Sequence, residues 1–478
     1  MNYKMVLFTM GRVVLLEAAL LVLPMAVSLL YGEKCALSFA LTILVALAVG
    51  FLLTKLCRGE HGSSSIKDGF MIVALTWIML SAIGALPFVF SREIPLYVDA
   101  FFETVSGFTT TGATILPDVE ALSRGMLFWR SFTHWIGGMG ILVFVVMLLK
   151  TPDRSINILK AEMPGPTMDK LAPKSKDTAR ILYLLYMALT VLEIVFLLLG
   201  GMSLFDSVVH ALSTAGTGGF GAYNASAANF SPYIQWVLTA FMFLFGVNFN
   251  LYYLLLLKRG TEFLRNTELK VYAGIVLVSV AAITIDILPL YQSFSVSLRQ
   301  AAFQVTSIMS TTGFITADFT VWSPLSKMVL LMLMFVGACA GSTGGGLKVS
   351  RFIMLVKSAA SDVRRMIHPR RVTRIQLDGS RVESGTLKAV YTYFLIYVLI
   401  IVAGTMVVSL DGYDMTTNFT AALACISNIG PGMGQIGPAS CFNIFSTPVK
   451  MALSVIMLFG RLELYPILAF FAPTTWRK

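Results

Sequence analysis

Ser106-Gly107-Phe108-Thr109-Thr110-Thr111-Gly112-Ala113-Thr114 interrupts an otherwise apolar part of the chain with hydroxyls and glycines. Three later stretches repeat the pattern: Thr217-Gly218-Gly219-Phe220-Gly221, Thr311-Thr312-Gly313-Phe314-Ile315 and Asn428-Ile429-Gly430-Pro431-Gly432. Irregular backbone at membrane depth survives only when it is buried in protein or lines a watery path. Four such loops therefore imply one shared ion pathway.

The surroundings of these loops are membranous. The 478 residues are 56% hydrophobic and 13% charged, with mean hydropathy +0.79, which excludes a soluble globular chain and a disordered one. At about 20 residues per spanning helix, ten spans are expected near 7–31, 36–57, 69–91, 126–149, 180–200, 232–257, 271–290, 325–347, 386–410 and 448–471. The first, behind Lys4 and Arg12, is long enough to span and is expected to be retained rather than cleaved. Cys35, Cys57, Cys339, Cys425 and Cys441 show neither metal-site spacing nor a disulfide framework.

The net charge of +11 falls into particular loops, which speaks against nucleic acid as a partner and for a lipid bilayer. Lys150, Arg154, Lys160, Lys170, Lys174, Lys176 and Arg180 share one loop, and Lys258, Arg259, Arg265 and Lys270 the next. A third runs from Lys348 through Arg351, Lys357, Arg364, Arg365, Arg370, Arg371, Arg374 and Arg381 to Lys388. Positive loops stay inside, so these are expected in the cytoplasm, with both termini. Segments 221–231, 314–326 and 431–447 contain no Lys or Arg, so the Thr/Gly loops enter from the opposite side.

Gly112, Gly219, Gly313 and Gly430 recur at a loose period of about one hundred residues, which marks an internal repeat. Two places before the glycine stand Thr110, Thr217, Thr311 and Asn428; six places before it stand Ser106, Ser213, Ser307 and Ala424. The run ahead of each loop allows only about three helical turns, enough to dip into a bilayer but not to cross it. The expected architecture is an all-α polytopic membrane protein of four helix–pore loop–helix repeats, 69–150, 151–258, 259–365 and 366–478, behind a peripheral two-helix hairpin, 1–68.

A dehydrated monovalent cation needs a ring of oxygens, and backbone carbonyls supply one without a trapping net charge. Glycine permits the dihedrals this requires. The candidate ion-binding residues are Thr110, Thr111, Gly112, Gly216, Thr217, Gly218, Gly219, Ser310, Thr311, Thr312, Gly313, Asn428, Ile429 and Gly430. Behind the third loop, Gly337-Ala338-Cys339-Ala340-Gly341-Ser342-Thr343-Gly344-Gly345-Gly346 should break its helix, since each glycine costs about 1 kcal/mol relative to alanine.

Loops one, three and four, quoted above, resemble the pore loops of the Trk/Ktr/HKT superfamily of potassium transporters from about residue 69 onward. The leading hairpin and the segment Lys160-Ala161-Glu162-Met163-Pro164-Gly165-Pro166-Thr167 resemble its bacterial TrkH branch. The resemblance implies a pseudo-fourfold pore in the bacterial inner membrane, with potassium held by carbonyls of the four loops. Glycine at all four key positions goes with potassium in that superfamily and serine in the first repeat with sodium, so Gly112 favours potassium. The second loop departs from the pattern, beginning Ala215-Gly216 where the family is bulkier. The resemblance further implies an intramembrane gate of Gly337, Gly341, Ser342, Thr343, Gly344, Gly345 and Gly346. Arg461 is then expected as a pore-facing cation below the filter, with Lys348 second. A homodimer and a cytosolic NAD- or ATP-binding regulatory ring of the TrkA type are implied as assembly; this chain has no organic cofactor of its own.

Other charged residues leave alternatives open. Glu17, Glu193 and Asp286 sit within expected spans, where they either hydrogen-bond a neighbouring helix or serve a proton- or sodium-coupled symport. Asp99 and Asp206 precede the pore helices, where they draw cations or cap the helix. His134 and His210 are expected as core or pore-helix contacts. Voltage gating is disfavoured, because no span carries arginine at every third position. An enzyme is disfavoured too, since no HExxH, CxxC pair or GxSxG stands at a membrane interface.

Overall fold

The computed structural model describes residues 2–57, 66–140, 175–368, 375–378, 380–438 and 440–471. Residues 150–174 with the 160–167 segment, the end of the expected span beyond 140, the start of the 58–68 loop, and Arg370, Arg371 and Arg374 lie outside them. Apart from one short antiparallel pair, β1 (Gln376–Leu377) with β2 (Ser380–Arg381), the described structure is helical.

Among the described residues, six helices are long and apolar enough to cross a bilayer: Tyr3–Leu30, Cys35–Leu56, Lys67–Ser91, Ala179–Leu199, Thr267–Tyr291 and Ser384–Asp411. Only 28% of the hydrophobic window in Ala179–Leu199 is buried. Side chains such as Leu30, Val278 and Ile285 point outward, which water would oppose and hydrocarbon accepts.

The helices that follow the Thr/Gly loops are shorter or broken. The expected span 232–257 is two helices, Pro232–Phe245 and Phe249–Leu256, bent by 89° at Gly246-Val247-Asn248. The span 325–347 stops at Val336, where the glycine run begins. The span 448–471 is also two helices, Thr447–Arg461 and Tyr465–Phe471, because Glu463 and Leu464 adopt positive φ. A serine stands at the start of each post-loop helix, Ser123, Ser231, Ser323 and Ser446, and the Ser231 and Ser323 hydroxyls accept from the third residue beyond them.

The leading hairpin packs its two helices where Gly11 meets Gly50: a Cβ on Gly11 would lie 2.8 Å from Leu53 Cβ and 3.0 Å from Gly50 O. Small residues permit that close crossing. At its turn, Glu33 accepts from the Arg124 and Gly125 amides, at 2.8 and 2.9 Å, capping the helix Arg124–Gly138 of the first repeat. The hairpin thus braces the first repeat from outside.

Candidate functional site

Four short helices point into the centre: Tyr97–Phe108, Leu204–Gly216, Phe294–Met309 and Met415–Ser427. Each ends alike. The amide one place before the loop glycine, at Thr111, Gly218, Thr312 or Ile429, donates to the carbonyl of Ser106, Ser213, Ser307 or Ala424, at 2.9 to 3.0 Å. The residue two before the glycine donates to the carbonyl three places back and takes left-handed φ: 54° at Thr110, 54° at Thr217, 62° at Thr311 and 54° at Asn428. These paired bonds form a Schellman end, which satisfies orphan carbonyls at the helix terminus. Glycine or asparagine usually occupies the left-handed place; threonine there stores strain of about 1–3 kcal/mol, which persists only where the surroundings impose it. The small residue six before the glycine, visible as a recurrence, is the carbonyl that makes this turn.

The glycines follow with φ of 77° at Gly112, 80° at Gly219, 84° at Gly313 and 90° at Gly430. A Cβ on Gly112 would strike the carbonyl of Gly218, one on Gly219 that of Thr312, one on Gly313 that of Ile429, and one on Gly430 that of Thr111. Each glycine therefore lies against the carbonyl just before the glycine of the next repeat, and the fourth returns to the first. The four loops close a ring in chain order around one axis. On the outgoing side is a cavity of about 290 Å³ lined by all four glycines and by Thr114, Tyr223, Ile315 and Cys441.

Gly216 and Ser310 take a different place from the other candidates. Gly216 is the last helical residue of its pore helix, its Cα against the His134 carbonyl and its own carbonyl accepting from Thr217 Oγ1 at 2.6 Å. Ser310 is the helix cap, and its hydroxyl is 2.7 Å from that of Thr312. Asn428 ties two repeats together, donating from Nδ2 to Thr111 Oγ1 at 2.9 Å and to Met457 O at 3.0 Å.

The Gly337–Lys348 segment lies on the other side of the ring. Gly345 N donates to Thr311 Oγ1 at 2.6 Å, and Gly345 is close enough to the Ser427 carbonyl that a Cβ would overlap it. Arg461 donates to Thr343 O at 2.8 Å, to Gly138 O at 2.6 Å and to Gly137 O, so it links the segment to the inner end of a first-repeat helix. Lys348 Nζ donates back to Gly344 O. Glu268 Oε1 accepts from the Ala340 and Ser350 amides, at 2.7 and 2.9 Å, and is 4% exposed. Sequence reading missed Glu268, because an acid in the first turn of a helix looks like an ordinary match to the helix dipole.

Glu103 and Arg130 were missed as well. They form an ion pair of 2.8 Å, both buried, behind the first two loops. His134 fills the space behind the second loop, its ring 4.2 Å from that of Phe220 and its Nδ1 3.2 Å from Ser213 Oγ. His210 is a pore-helix contact, its Nδ1 2.8 Å from the Asp206 carbonyl.

Several charged residues take definite partners. Asp99 caps no helix: it lies in the first turn of its pore helix and pairs with Lys450 Nζ at 2.9 Å. Asp206 is likewise inside the first turn; the cap is Ser203, which accepts from Asp206 N and donates to its carboxylate at 2.7 Å. Asp286 accepts from the hydroxyls of Ser323 and Ser326 at the start of Pro324–Val336, a helix-to-helix tie. Glu463 pairs with Arg351, whose guanidinium lies 4.1 Å from the centre of the Tyr393 ring. Glu193 is fully buried, and Glu17 sits beside Gly84, where a Cβ would be 3.2 Å from its Oε1.

The family model described as "TrkH: Cation transport protein" matches residues 36–478. The potassium uptake protein TrkH of the Trk system of Salmonella typhimurium is 37% identical over 485 residues, and that of Escherichia coli 36%, each comparison covering 100% of both chains. The crystal structure of the potassium transporter TrkH from Vibrio parahaemolyticus superposes with a TM-score of 0.90 at 33% identity, again over 100% of both chains.

Proposed function

The chain belongs to the TrkH family of cation transport proteins, a family of transporters rather than enzymes, and on that premise we propose that it carries potassium into the cell through the loop ring. The membrane potential drives the ion, the carbonyls at the seams of the ring replace its water, and the Gly337–Lys348 segment gates the inner side. The observation that carries this reading is the closed sequence of four glycine-to-carbonyl contacts. A ring of fixed oxygens selects an ion by exchanging hydration for carbonyl coordination, and only residues without a side chain let four loops approach so closely.

The filter comprises Thr110 to Gly112, Thr217 to Gly219, Thr311 to Gly313 and Asn428 to Gly430, one loop from each of the four repeats that follow the 1–68 hairpin. Arg461 holds a fixed positive charge below the ring, where burial of a charge is costly unless it has partners; its carbonyl contacts to Thr343, Gly137 and Gly138 supply them. The protein sits in the bacterial inner membrane with basic loops and both termini in the cytoplasm. It works as a homodimer under a nucleotide-binding ring of the TrkA type, as its likeness to the potassium uptake proteins of the Trk system suggests. Asp286, one of the carboxylates that coupled symport would require, is committed to two serines at a helix start, which favours potential-driven passage.

The test is rubidium or potassium flux into liposomes containing this chain alone, with voltage and pH gradients imposed separately, beside Gly112→Ser. Voltage-driven flux without a proton or sodium gradient, and weaker discrimination against sodium in Gly112→Ser, are expected. Flux that requires a proton or sodium gradient would replace the proposal with symport.

A further inference from the structure

The ring contacts fix the loops at the level of the glycines, but the outgoing limb of each loop also needs a support. Nine places before the filter glycine, on the pore helix, stand Glu103, His210, Gln304 and Ala421. Glu103 Oε2 accepts from the Ile115 amide at 3.0 Å, and Thr114 Oγ1 donates to Glu103 Oε1 at 2.9 Å. Gln304, with its amide turned as the surrounding donors require, accepts from Thr316 N at 2.9 Å and Ala317 N at 3.3 Å. In the fourth repeat alanine leaves the place empty, and the preceding residue, Thr420, accepts from Met433 N at 3.0 Å. Ile115, Thr316 and Met433 each lie three places after their glycine. In three repeats a pore-helix side chain thus captures the same outgoing amide.

The first repeat differs in being charged. Arg130 Nε donates to Glu103 Oε1 at 2.8 Å, Nη2 to Thr114 Oγ1 at 3.3 Å, and Nη1 crosses to the Gly221 carbonyl of the second loop at 3.3 Å. The guanidinium also lies 4.0 Å from the centre of the Phe220 ring. Both side chains are almost wholly buried, Glu103 at 1% and Arg130 at 2% exposure. Removing one member would leave the other buried and unpaired, which is far more disruptive than losing an exposed pair.

We infer that Glu103 and Arg130 are positioning residues for ion selectivity: together they clamp the outgoing limb of the first loop to that of the second, and hold the Gly112–Gly218 seam of the filter. The inference rests on the filter reading above. Neither residue contacts the ion; each acts through Thr114, Ile115 and Gly221.

The test uses the full chain in liposomes, comparing potassium with sodium flux at one imposed voltage for Glu103→Gln, Arg130→Gln, Arg130→Lys and Thr114→Val. Glu103→Gln and Arg130→Gln should each lower the potassium-to-sodium ratio about tenfold, the scale of one charge-assisted hydrogen bond. Arg130→Lys keeps the charge but not the fork, and should fall between Arg130→Gln and the parent. Thr114→Val leaves the ion pair itself in place and removes only the hydroxyl that bridges it to the loop, so it should lower the ratio less, roughly threefold, the low end for one hydrogen bond. Parental ratios in the two glutamine variants would overturn the inference. If those variants fail to reach the membrane, Thr114→Val decides, and a parental ratio there overturns it equally. Gly112→Ser runs alongside: if it too leaves the ratio unchanged, the filter reading itself has failed, whereas a changed ratio in Gly112→Ser alone refutes only the clamp.

Discussion

The loop ring and the segment beneath it are both rich in glycine, yet one repeats four times on its own backbone and the other occurs once and adds side-chain ties. In the ring, each glycine lies against a carbonyl of the next repeat and each loop is closed by two backbone bonds to its own helix. The Gly337–Lys348 segment occurs once, breaks the fourfold pattern, and is held both by backbone bonds to the broken helix, Cys339 N to Gly246 O and Phe249 N to Gly341 O at 3.0 Å each, and by the side chains of Arg461, Glu268 and Thr311. Backbone packed on backbone has one arrangement, because interiors are close-packed and resist small changes. Under the gating proposal, the side-chain bonds are the part of the segment's support that is released. Glycine serves close approach in both: a Cβ on Gly345 would overlap the Ser427 carbonyl, as one on Gly112 would overlap that of Gly218.

The sharpest way to break this contrast is Gly313→Ala. The methyl group would overlap the Ile429 carbonyl, and alanine at φ 84° adds about 1–2 kcal/mol of left-handed strain. Potassium flux in liposomes should fall at least about a hundredfold, since small displacements of a positioned group are amplified steeply. Flux near the parental value would show that the ring yields where its close packing should not.

Arg461→Gln tests the other side. It withdraws the charge and weakens the bonds to Thr343, Gly137 and Gly138, so basal flux without any cytosolic partner should rise by roughly tenfold, with the potassium-to-sodium ratio held by the intact ring. A fall in flux with an unchanged ratio would make Arg461 a structural pin rather than a barrier.

The smallest effect is expected at the outer edge of the fourth repeat. Asp414 caps Met415–Ser427, and its carboxyl is held below the usual range by the Thr417 hydroxyl and amide. A depressed folded value means that this contribution is present above the ordinary carboxylate range and fades as pH falls through the folded value. Asp414→Ala should lower thermal stability by about 1 kcal/mol near neutral pH, and the difference from the parent should shrink in acid. A difference that does not change with pH would show that the cap does not depend on the carboxylate charge.

Much of this was legible in the chain before any coordinates. The glycines at 112, 219, 313 and 430, the hydroxyl or amide residues two places before them and the small residues six places before them marked four equivalent turns, because backbone geometry at a helix end is a local matter. The basic loops gave the expected orientation, and the glycine run from 337 to 346 gave the helix break. Glu103, Arg130 and Glu268 were not legible, since a buried ion pair or an amide-binding carboxylate is defined by partners 27 to 82 residues away. The same limit separated Glu463 from Arg461, its neighbour in sequence, and gave it to Arg351, 112 residues distant.

Hydropathy, charge placement and repeat spacing are properties of the chain as written, and they sufficed for the membrane class and for marking the four glycine loops that meet in the fold. The order in which the loops meet, the closure of the fourth upon the first, and the choice of partner for each buried charge arise only when the repeats pack. They depend on which carbonyl faces which glycine across an interface, and no spacing within one repeat encodes that.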